Sequence, residues 1–470
     1  MQTAKVQQNQ SATNLLEDKK LTFREKVALG LGGMTGTIHS QMIALFLLFF
    51  YTDVMEISPA YVAGLFLAAR IVSAAAGPVF GIYVDKVTTP WGKYVPWFII
   101  LGVPSAILGW LTFTDFNLGP DGKIIYATVT YILYSILLGA IQAPGTAVGP
   151  AITKRVDDRV SIGQISYFVV VIGAMIVSVA GQPLYKAFGG GNDAKGFSML
   201  MGIIAVLCVM ISVFQVSSLK ERYVVQNKKD EKKLSLKEMS KAVFTNKAAV
   251  IIYIYVFAMN LAPGIRNAIS LHYYKYYFHN ENIMAIMGLV AIVPTFIGVT
   301  FSAKITKRFG LKANVLIGSI VSVVTAIMIP FFPSTSTGAV LYIASAAIGS
   351  LFQGFAAPAQ AAMLPAAMDY TEWKTGINVN AFMGSIQGVM KNVAVAISGS
   401  LAAGALVFIG YLPGVEQSSE TIFGLKMLMG VLPAIILVFT AAVAWFDITE
   451  EKQAQIAKDL AERRKAGQQS

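Results

Sequence analysis

The stretch that divides this sequence is residues 219–246, LKERYVVQNKKDEKKLSLKEMSKAVFTN. It is the only long polar segment in the interior of the chain. Apolar segments of roughly 20 residues recur on both sides of it, each long enough to cross a hydrocarbon core of about 30 Å. Charged residues make up 13% of the 470 residues, whereas soluble domains average about 25%. We therefore expect a multi-pass membrane protein.

The apolar segments number about six on each side of the polar stretch, which predicts an all-α integral membrane protein with about twelve transmembrane helices. Two six-helix halves joined by one polar loop are typical of transporters built from repeats. The predicted parts are a cytoplasmic N-terminal segment, an N-terminal six-helix bundle, a cytoplasmic central loop, a C-terminal six-helix bundle and a cytoplasmic tail, at residues 1–26, 27–218, 219–246, 247–447 and 448–470.

The basic residues indicate how the chain crosses the membrane. The sequence has 37 Lys and Arg residues against 25 Asp and Glu residues, a net charge of +12. With the amino terminus inside the cell, 29 of the 37 cations lie in cytoplasmic segments and three lie in outer loops. This asymmetry follows the positive-inside rule, so the excess charge indicates topology and not nucleic-acid binding. We expect a multi-pass plasma-membrane protein with both termini in the cytoplasm.

Motifs for other classes of protein are not found in the sequence. The single Cys208 lies in an apolar run, which predicts neither a disulfide framework nor a metal cluster. No Walker A motif and no nucleophile with a matched base stand out, so neither an ATP-driven pump nor an enzyme is expected. We expect no cofactor or metal, a small-molecule substrate and the lipid bilayer as partners, and a monomer.

Five motifs keep the order and spacing of one transporter family from about residue 25 to residue 447. They are Phe50-Tyr51-Thr52-Asp53-Val54, Ala69-Arg70-Ile71, Trp91-Gly92-Lys93 with Pro96-Trp97, Asp369-Tyr370-Thr371-Glu372-Trp373-Lys374-Thr375-Gly376, and Ile409-Gly410-Tyr411-Leu412-Pro413. The sequence resembles the glycoside–pentoside–hexuronide:cation symporters of the major facilitator superfamily, whose best-known member is the melibiose permease. The resemblance implies two six-helix bundles around a central cavity and alternating access by rocking of the bundles.

Three basic residues lie deep within predicted spans, whereas all 25 acidic residues can be placed outside the apolar interiors. The three are Arg70 in the second span, Arg266 in the seventh and Lys391 in the eleventh. A charge near the bilayer centre costs roughly 2.5–3.5 kcal/mol on insertion scales. Such residues are therefore usually functional or paired.

The resemblance implies acidic partners for these cations, and this sequence lacks them. Cation-coupled members of the family have two aspartates after the second-helix arginine that bind sodium or a proton, and here those positions are Ser73 and Gly77. The sugar-contacting aspartates of the first and fourth helices fall at Thr37 and Gln142. Because a hard cation needs negatively charged oxygen ligands, sodium coupling is not expected.

The two basic family positions are kept, since Arg70 matches the family arginine and Lys391 matches its eleventh-helix lysine. A cavity that holds these cations without carboxylates suits an anionic solute, because the arginine fork matches a carboxylate in two parallel hydrogen bonds. The sequence therefore predicts a secondary active transporter that imports a small organic anion, such as a gallate-like aromatic hydroxy acid or a uronide, by proton symport or exchange.

The candidate site residues fall into three groups. The substrate-binding candidates are Arg70, Lys391, Arg266, Thr37, Gln142, Tyr167, Asn260 and Gln387. The proton-coupling candidates are His39, which titrates near neutral pH in its ordinary state, and Lys391, which could be neutral in a desolvated site. The gating-loop candidates are Asp85, Lys93, Asp369 and Glu372.

Other interpretations stay open at this point. The protein could be a neutral sugar or glycoside permease without the sodium site, in which Arg70 bonds helix carbonyls and water and holds the bundle together. A transporter-like sensor or a lipid mover would use the same fold. Two local expectations complete the picture: the aromatic run 273–278 suits a membrane-interface belt, and the tail Glu450–Arg464 suits a solvated charged helix.

Overall fold

The computed structural model describes residues 20–87, 89, 92–153, 155–222, 236–377 and 379–468. Within these residues the regular structure is helical, apart from one isolated bridge between Thr89 and Gly92. In the same part of the chain ten helices are long and apolar enough to cross a membrane, and a shorter apolar helix spans Trp97–Thr112. The predicted all-α membrane fold is confirmed.

The backbone contacts divide the chain into two compact units, Met1–Lys229 and Asp230–Ser470. In the described part of the first unit the chain forms six rods, which are numbered α1–α6. They are Phe23–Met42 continued by the π-helical turns Ile43–Leu47 and Phe50–Val54 (α1), Pro59–Lys86 (α2), Trp97–Ile100 with Gly102–Thr112 (α3), Pro120–Ala140 with Gln142–Ile152 (α4), Val156–Met175 with Ile176–Ala180 and Gly181–Gly189 (α5), and Asp193–Ser218 (α6).

The described part of the second unit begins with a short linker helix, Leu236–Phe244, and ends with a tail helix, Glu450–Gln468. Six rods lie between them. They are Lys247–Tyr276 (α7), Ile283–Phe309 (α8), Leu311–Met328 with the 3-10 turn Ile329–Phe331 (α9), Ser336–Thr375 (α10), Asn380–Phe408 (α11), and Ser419–Met429 with Val431–Val438 and Phe439–Trp445 (α12).

Side-chain caps determine where several rods begin. At the start of α1 the Thr22 side chain accepts a hydrogen bond from the Glu25 backbone N–H, and the Glu25 carboxylate accepts one from the Thr22 backbone N–H. This reciprocal capping box satisfies N–H groups that have no partner within the helix. Side-chain oxygens cap four further rods in a similar way, through Asn192, Asn246, Thr335 and Ser418.

Glycines allow neighbouring rods to touch through their backbones. A β-carbon on Gly139 of α4 would lie 2.2 Å from the Ser73 carbonyl oxygen of α2. In the second unit a β-carbon on Gly354 of α10 would lie 2.2 Å from the Thr295 carbonyl oxygen of α8. Membrane helices associate through such small residues because lipid supplies no hydrophobic drive between them.

Two buried carboxylates join the helix ends on the side of the first unit where the chain leaves α6, here called the linker end. Asp158, at the start of α5, pairs with Lys26 Nζ at 2.8 Å and accepts a hydrogen bond from the Leu21 backbone N–H. Glu25 pairs with Arg222, which follows α6. Both carboxyl groups lie outside the membrane-spanning segments. The linker end is therefore held by ion pairs between segments far apart in sequence.

The environment lowers the pKa of both carboxyl groups. Burial is the largest single effect and raises each pKa, but hydrogen bonds and cations together outweigh it. They come from Thr22 and Arg222 for Glu25, and from Lys26, the Leu21 N–H and Arg155 for Asp158. A carboxyl group with a lower pKa in the folded state stabilises the fold in its ionised form. That contribution is complete above the unfolded pKa of about 4 and is lost as pH falls through the folded value.

This linkage predicts a pH-dependent stability difference between the wild type and an Asp158→Asn variant. Above about pH 5 the variant should melt lower, by roughly 2–4 °C for each kcal/mol lost. The two melting curves should converge as the pH falls through the lowered folded-state pKa of Asp158, because the wild-type carboxyl is then protonated too. Thermal melting in detergent from pH 3 to pH 8 measures the difference, with the exposed Glu416→Gln as control. A constant offset at every pH would contradict the assignment.

Candidate functional site

Arg70 lies in the middle of α2 and is partly buried. One turn earlier, Phe66 packs against Tyr131 of α4 with ring centroids 5.4 Å apart. The Tyr131 hydroxyl lies in the electrostatic environment of the Arg70 guanidinium. None of the ion pairs formed by the described residues includes Arg70. Its neighbour is therefore a neutral hydroxyl, and its charge is not matched by a carboxylate in this part of the chain.

Ser73 and Gly77, where the family resemblance would put two carboxylates, lie close to Gly139 of α4. The Ser73 carbonyl oxygen packs against Gly139, and a β-carbon on Gly77 would lie 3.3 Å from the Gly139 carbonyl oxygen. Among the described residues, no group of three His, Cys, Asp or Glu side chains is placed to hold a metal ion. The residues present here do not fit a sodium ion held by two carboxylates.

The other binding candidates of the first unit lie on three different rods. Thr37 Oγ1 donates to the Gly33 carbonyl oxygen at 2.9 Å, within its own helix. Gln142 is exposed where the two parts of α4 meet, and Tyr167 of α5 is 66% exposed. Among the described residues, no hydrogen bond, ion pair or ring contact connects these side chains to Arg70. The structure therefore places them in one unit but does not bring them together in one cluster.

His39 lies in the interior of the first unit. Its ring packs edge-on against Tyr134 of α4, with centroids 5.6 Å apart. The His39 Nε2 atom and the Tyr134 hydroxyl are both buried without a hydrogen-bond partner. A nitrogen of this kind can accept or release a proton only if water or a moving side chain reaches it. His39 therefore stays a candidate proton carrier that the static structure leaves enclosed.

Two polar candidates of the second unit share one face of α11. Gln387 and Lys391 are four residues apart, a spacing that places both side chains on the same side of a helix. Lys391 is exposed within its unit, and no ion pair among the described residues includes it. Asn260 of α7, in contrast, donates to the Val256 carbonyl oxygen at 2.7 Å and is satisfied by its own helix.

Arg266 follows the Pro263-Gly264 pair of α7 and points into the second unit. Its Nε donates to the Met429 carbonyl oxygen of α12 at 3.2 Å, while its Nη2 is buried without a partner. The Tyr274 and Tyr342 hydroxyls, 3.1 Å apart, lie in its electrostatic environment. The hydrogen bond to the Met429 carbonyl oxygen links α7 to α12 and gives Arg266 a structural role. The unpartnered Nη2 group could donate to a ligand or to a water molecule.

The expectation that the aromatic run 273–278 forms an interface belt is wrong. Tyr273, Tyr274, Tyr277 and Phe278 are buried in the second unit. Tyr273 stacks on Tyr277 with centroids 5.0 Å apart, and the Tyr277 hydroxyl donates to the Phe332 carbonyl oxygen. The rings pack against one another inside the unit. The Tyr274 and Tyr277 hydroxyls find partners there, whereas the Tyr273 hydroxyl is buried without one.

Of the gating candidates, the Asp85 side chain lies outside the described part of the chain. Lys93 follows a tight turn after α2, and its Nζ lies 5.3 Å from the Tyr94 ring centroid. Asp369 and Glu372 lie in the last two turns of α10, and each has an interaction partner. Lys93 and the two acidic residues thus lie at rod ends, where gating segments are expected, and their gating role stays a prediction.

The expectation of a solvated tail is also wrong. The tail helix buries Ile456 and Leu460, which are 2% and 5% exposed. Trp373 Nε1 donates to the Asp459 carboxylate at 2.8 Å, and Arg463 donates to the Trp373 carbonyl oxygen at 2.8 Å. Ile456 and Leu460 are four residues apart and form an apolar stripe that packs on the end of α10. The many charged residues of the tail made this stripe hard to recognise in the sequence.

The helical fold and the cations within its membrane-spanning rods are features of a polytopic membrane protein of the transporter class. Residues 28–450 match the family described as MFS/sugar transport protein, and the chain belongs to that family. The resemblance to the glycoside–pentoside–hexuronide symporters is confirmed by this match and by the relatives, which are membrane transporters and not enzymes.

Two relatives and one solved structure illustrate the kinship. The chain is 28% identical over 450 residues to the isoprimeverose transporter of Lactiplantibacillus pentosus, covering 95% of this chain and 93% of the relative. It is 28% identical over 450 residues to the putative sulfoquinovose importer of Escherichia coli (strain K12), covering 95% of each. A bacterial homolog of the human lysosomal transporter Spinster superposes with a TM-score of 0.68 at 15% identity, over 94% of this chain and 99% of that chain. The last likeness shows the fold alone.

Proposed function

We propose that this transporter imports a small organic anion, a uronide or a gallate-like aromatic hydroxy acid, by proton symport or exchange. Arg70 and Lys391 hold the anion, and Arg266 and the polar candidates of α1, α4, α5, α7 and α11 contribute to the site. His39 and Lys391 are the candidate proton carriers. The protein works as a monomer in the plasma membrane with both termini in the cytoplasm.

One observation carries the proposal: Arg70 lies within a membrane-spanning rod with a neutral tyrosine as its neighbour and no ion pair among the described residues. An unpaired guanidinium at this depth is costly, and an anionic substrate would offset that cost by two parallel hydrogen bonds. The same charge repels sodium, and Ser73 and Gly77 supply no carboxylate to bind it, which favours coupling by another route.

The relatives support different charges for the substrate. The Escherichia coli relative is a putative importer of sulfoquinovose, a sulfonated sugar, and this favours an anionic, sugar-like solute. The Lactiplantibacillus relative is a transporter of isoprimeverose, a neutral disaccharide, and this favours the second candidate function, a neutral glycoside permease without the sodium site. The charge of the substrate is therefore the property to measure first.

Ligand binding by the purified protein tests the proposal with matched pairs that differ only in charge: glucuronate against glucuronamide, and gallate against gallamide. A ligand at about a hundred times its Kd adds roughly 2.7 kcal/mol, which is visible as a rise in Tm. Stabilisation by the acids alone, at pH 5.5 or 7.5, would support the anion site. Equal stabilisation by acids and amides, or by isoprimeverose alone, would favour the neutral permease.

Transport by the protein alone separates a carrier from a sensor. Proteoliposomes that contain only this protein should accumulate radiolabelled glucuronate or gallate when the interior is made alkaline, because a proton symporter follows the proton gradient. Uptake that needs preloaded internal substrate and no gradient would indicate exchange. A protein that binds an acid without moving it would be a sensor.

A further inference from the structure

The α2–α3 loop at the linker end is bound to a carboxylate from a distant part of the sequence. The Glu221 carboxylate, three residues after α6, accepts hydrogen bonds from the consecutive backbone N–H groups of Lys93, Tyr94 and Val95, at 2.8, 2.6 and 2.7 Å. Three successive N–H groups that converge on one anion form a backbone nest. Bonds from backbone N–H groups to an ionised carboxylate are short and roughly twice as strong as neutral ones.

Gly92 makes room for this carboxylate. Its φ of +122° is rare for residues with a side chain, and a β-carbon there would lie 2.6 Å from Glu221 Oε1. A pair of backbone hydrogen bonds between Thr89 and Gly92 closes the turn just before the nest. The glycine of the Trp91-Gly92-Lys93 motif is thus required by the approach of Glu221, a residue outside every motif that the sequence displays.

The residue after Glu221 fixes two more segments. Arg222 donates its backbone N–H to the Ala151 carbonyl oxygen at the end of α4, at 2.9 Å, and its side chain pairs with Glu25 of α1. The dipeptide Glu221-Arg222 therefore binds α1, the α2–α3 loop and α4 at the point where the chain departs toward the second unit. A displacement of Glu221 and Arg222 would therefore be transmitted directly to the Lys93 loop through the Glu221 carboxylate.

We infer that Glu221 is a positioning residue that couples the start of the interunit linker to the α2–α3 loop and keeps the linker end of the first unit closed. This role applies to the transport cycle for any substrate, and so it does not rest on the proposed function. Loss of the carboxylate would release the loop and make the interior of the unit accessible from the linker side.

Single-cysteine reporters test the inference without a substrate. The only native cysteine, Cys208, is 2% exposed, so an introduced cysteine reports its own site. Lys93→Cys reports the loop. Val148→Cys reports the interior, because Val148 of α4 is 3% exposed and packs in one apolar cluster with Tyr94 and Val95. Each reporter is made in the wild-type background and together with Glu221→Gln. Right-side-out and inside-out membrane vesicles that contain each protein are then treated with a membrane-impermeant maleimide. We expect Glu221→Gln to speed the labelling of both reporters from the linker side at least five-fold, without faster labelling of Val148→Cys from the opposite side.

Further variants separate coupling from simple damage. Gly92→Ala should reproduce the effect of Glu221→Gln, because its methyl group displaces the same carboxylate. The double variant should label no faster than either single variant, since both break one interaction. Glu221→Asp keeps the charge and should restore part of the protection, and Glu416→Gln, an exposed glutamate, should change nothing.

Three results would overturn the inference. In the first, Glu221→Gln leaves both reporters unchanged. In the second, only Lys93→Cys labels faster, so that the carboxylate holds the loop but does not close the unit. In the third, the effects of Glu221→Gln and Gly92→Ala add. If Glu221→Gln does not fold, Gly92→Ala gives the same comparison with the carboxylate still present.

Discussion

An Arg70→Ala variant is expected to bind glucuronate or gallate at least about 30-fold more weakly than the wild type, with little loss of stability. Removing one member of a desolvated, hydrogen-bonded charge pair costs about 2–5 kcal/mol, and each 1.4 kcal/mol is a factor of ten in Kd. The stability effect should be small because the neighbour of Arg70 is a tyrosine hydroxyl, and the truncation leaves no unpaired carboxylate among the described residues. Isothermal calorimetry and thermal melting measure the two quantities.

Two matched variants show whether the guanidinium or its packing matters. Arg70→Lys keeps the charge but not the planar fork, and so should recover only part of the affinity. Tyr131→Phe removes the neutral neighbouring hydroxyl and keeps the cation, and so should bind the acids nearly as well as the wild type. Normal acid binding by Arg70→Ala would show that Arg70 is structural. Destabilisation of equal size in Arg70→Ala and Tyr131→Phe would show the same.

The fold could be predicted from the sequence because lipid imposes a simple rule. A membrane-spanning segment must be long, apolar and helical, and each of these properties is visible in one dimension. The polar stretch 219–246 and the recurring apolar segments were therefore sufficient to predict the all-α architecture. The first rod was recognised in the same way, although π-helical turns at Ile43–Leu47 and Phe50–Val54 interrupt its α-helix.

The partners of individual side chains could not be predicted, because apolar composition does not distinguish a lipid-facing surface from a helix–helix contact. Tyr273 and Tyr277 matched the composition of an interface belt, yet they pack inside the second unit. The sequence of the tail predicted a solvated helix, because charged residues far outnumber the two apolar residues, Ile456 and Leu460, that are buried. Glu221 lies in the charged stretch that was interpreted only as a topology signal, and its three N–H partners are about 130 residues away.

A carboxylate placed at position 73 is expected to weaken acid binding as strongly as the loss of Arg70, although every atom of Arg70 remains. Ser73 follows Arg70 by three residues on α2, a spacing at which opposite charges on a helix pair. In a Ser73→Asp variant the new carboxylate would occupy the guanidinium and compete with the substrate for it. We expect at least a 30-fold rise in Kd for glucuronate or gallate, and little change for any uncharged ligand that the wild type binds.

Ser73→Asn is the control, because asparagine has the shape of aspartate without its charge. It should keep most of the acid affinity if charge compensation is the cause. Equal losses in both variants would indicate that the longer side chain disturbs the contact with Gly139, where the Ser73 backbone already packs closely. The double variant Arg70→Ala with Ser73→Asp should bind the acids no better than either single variant, and wild-type acid binding by Ser73→Asp would rule out an unpaired Arg70 as the anion site. Sodium should not stabilise Ser73→Asp, because Gly77 still supplies no second carboxylate.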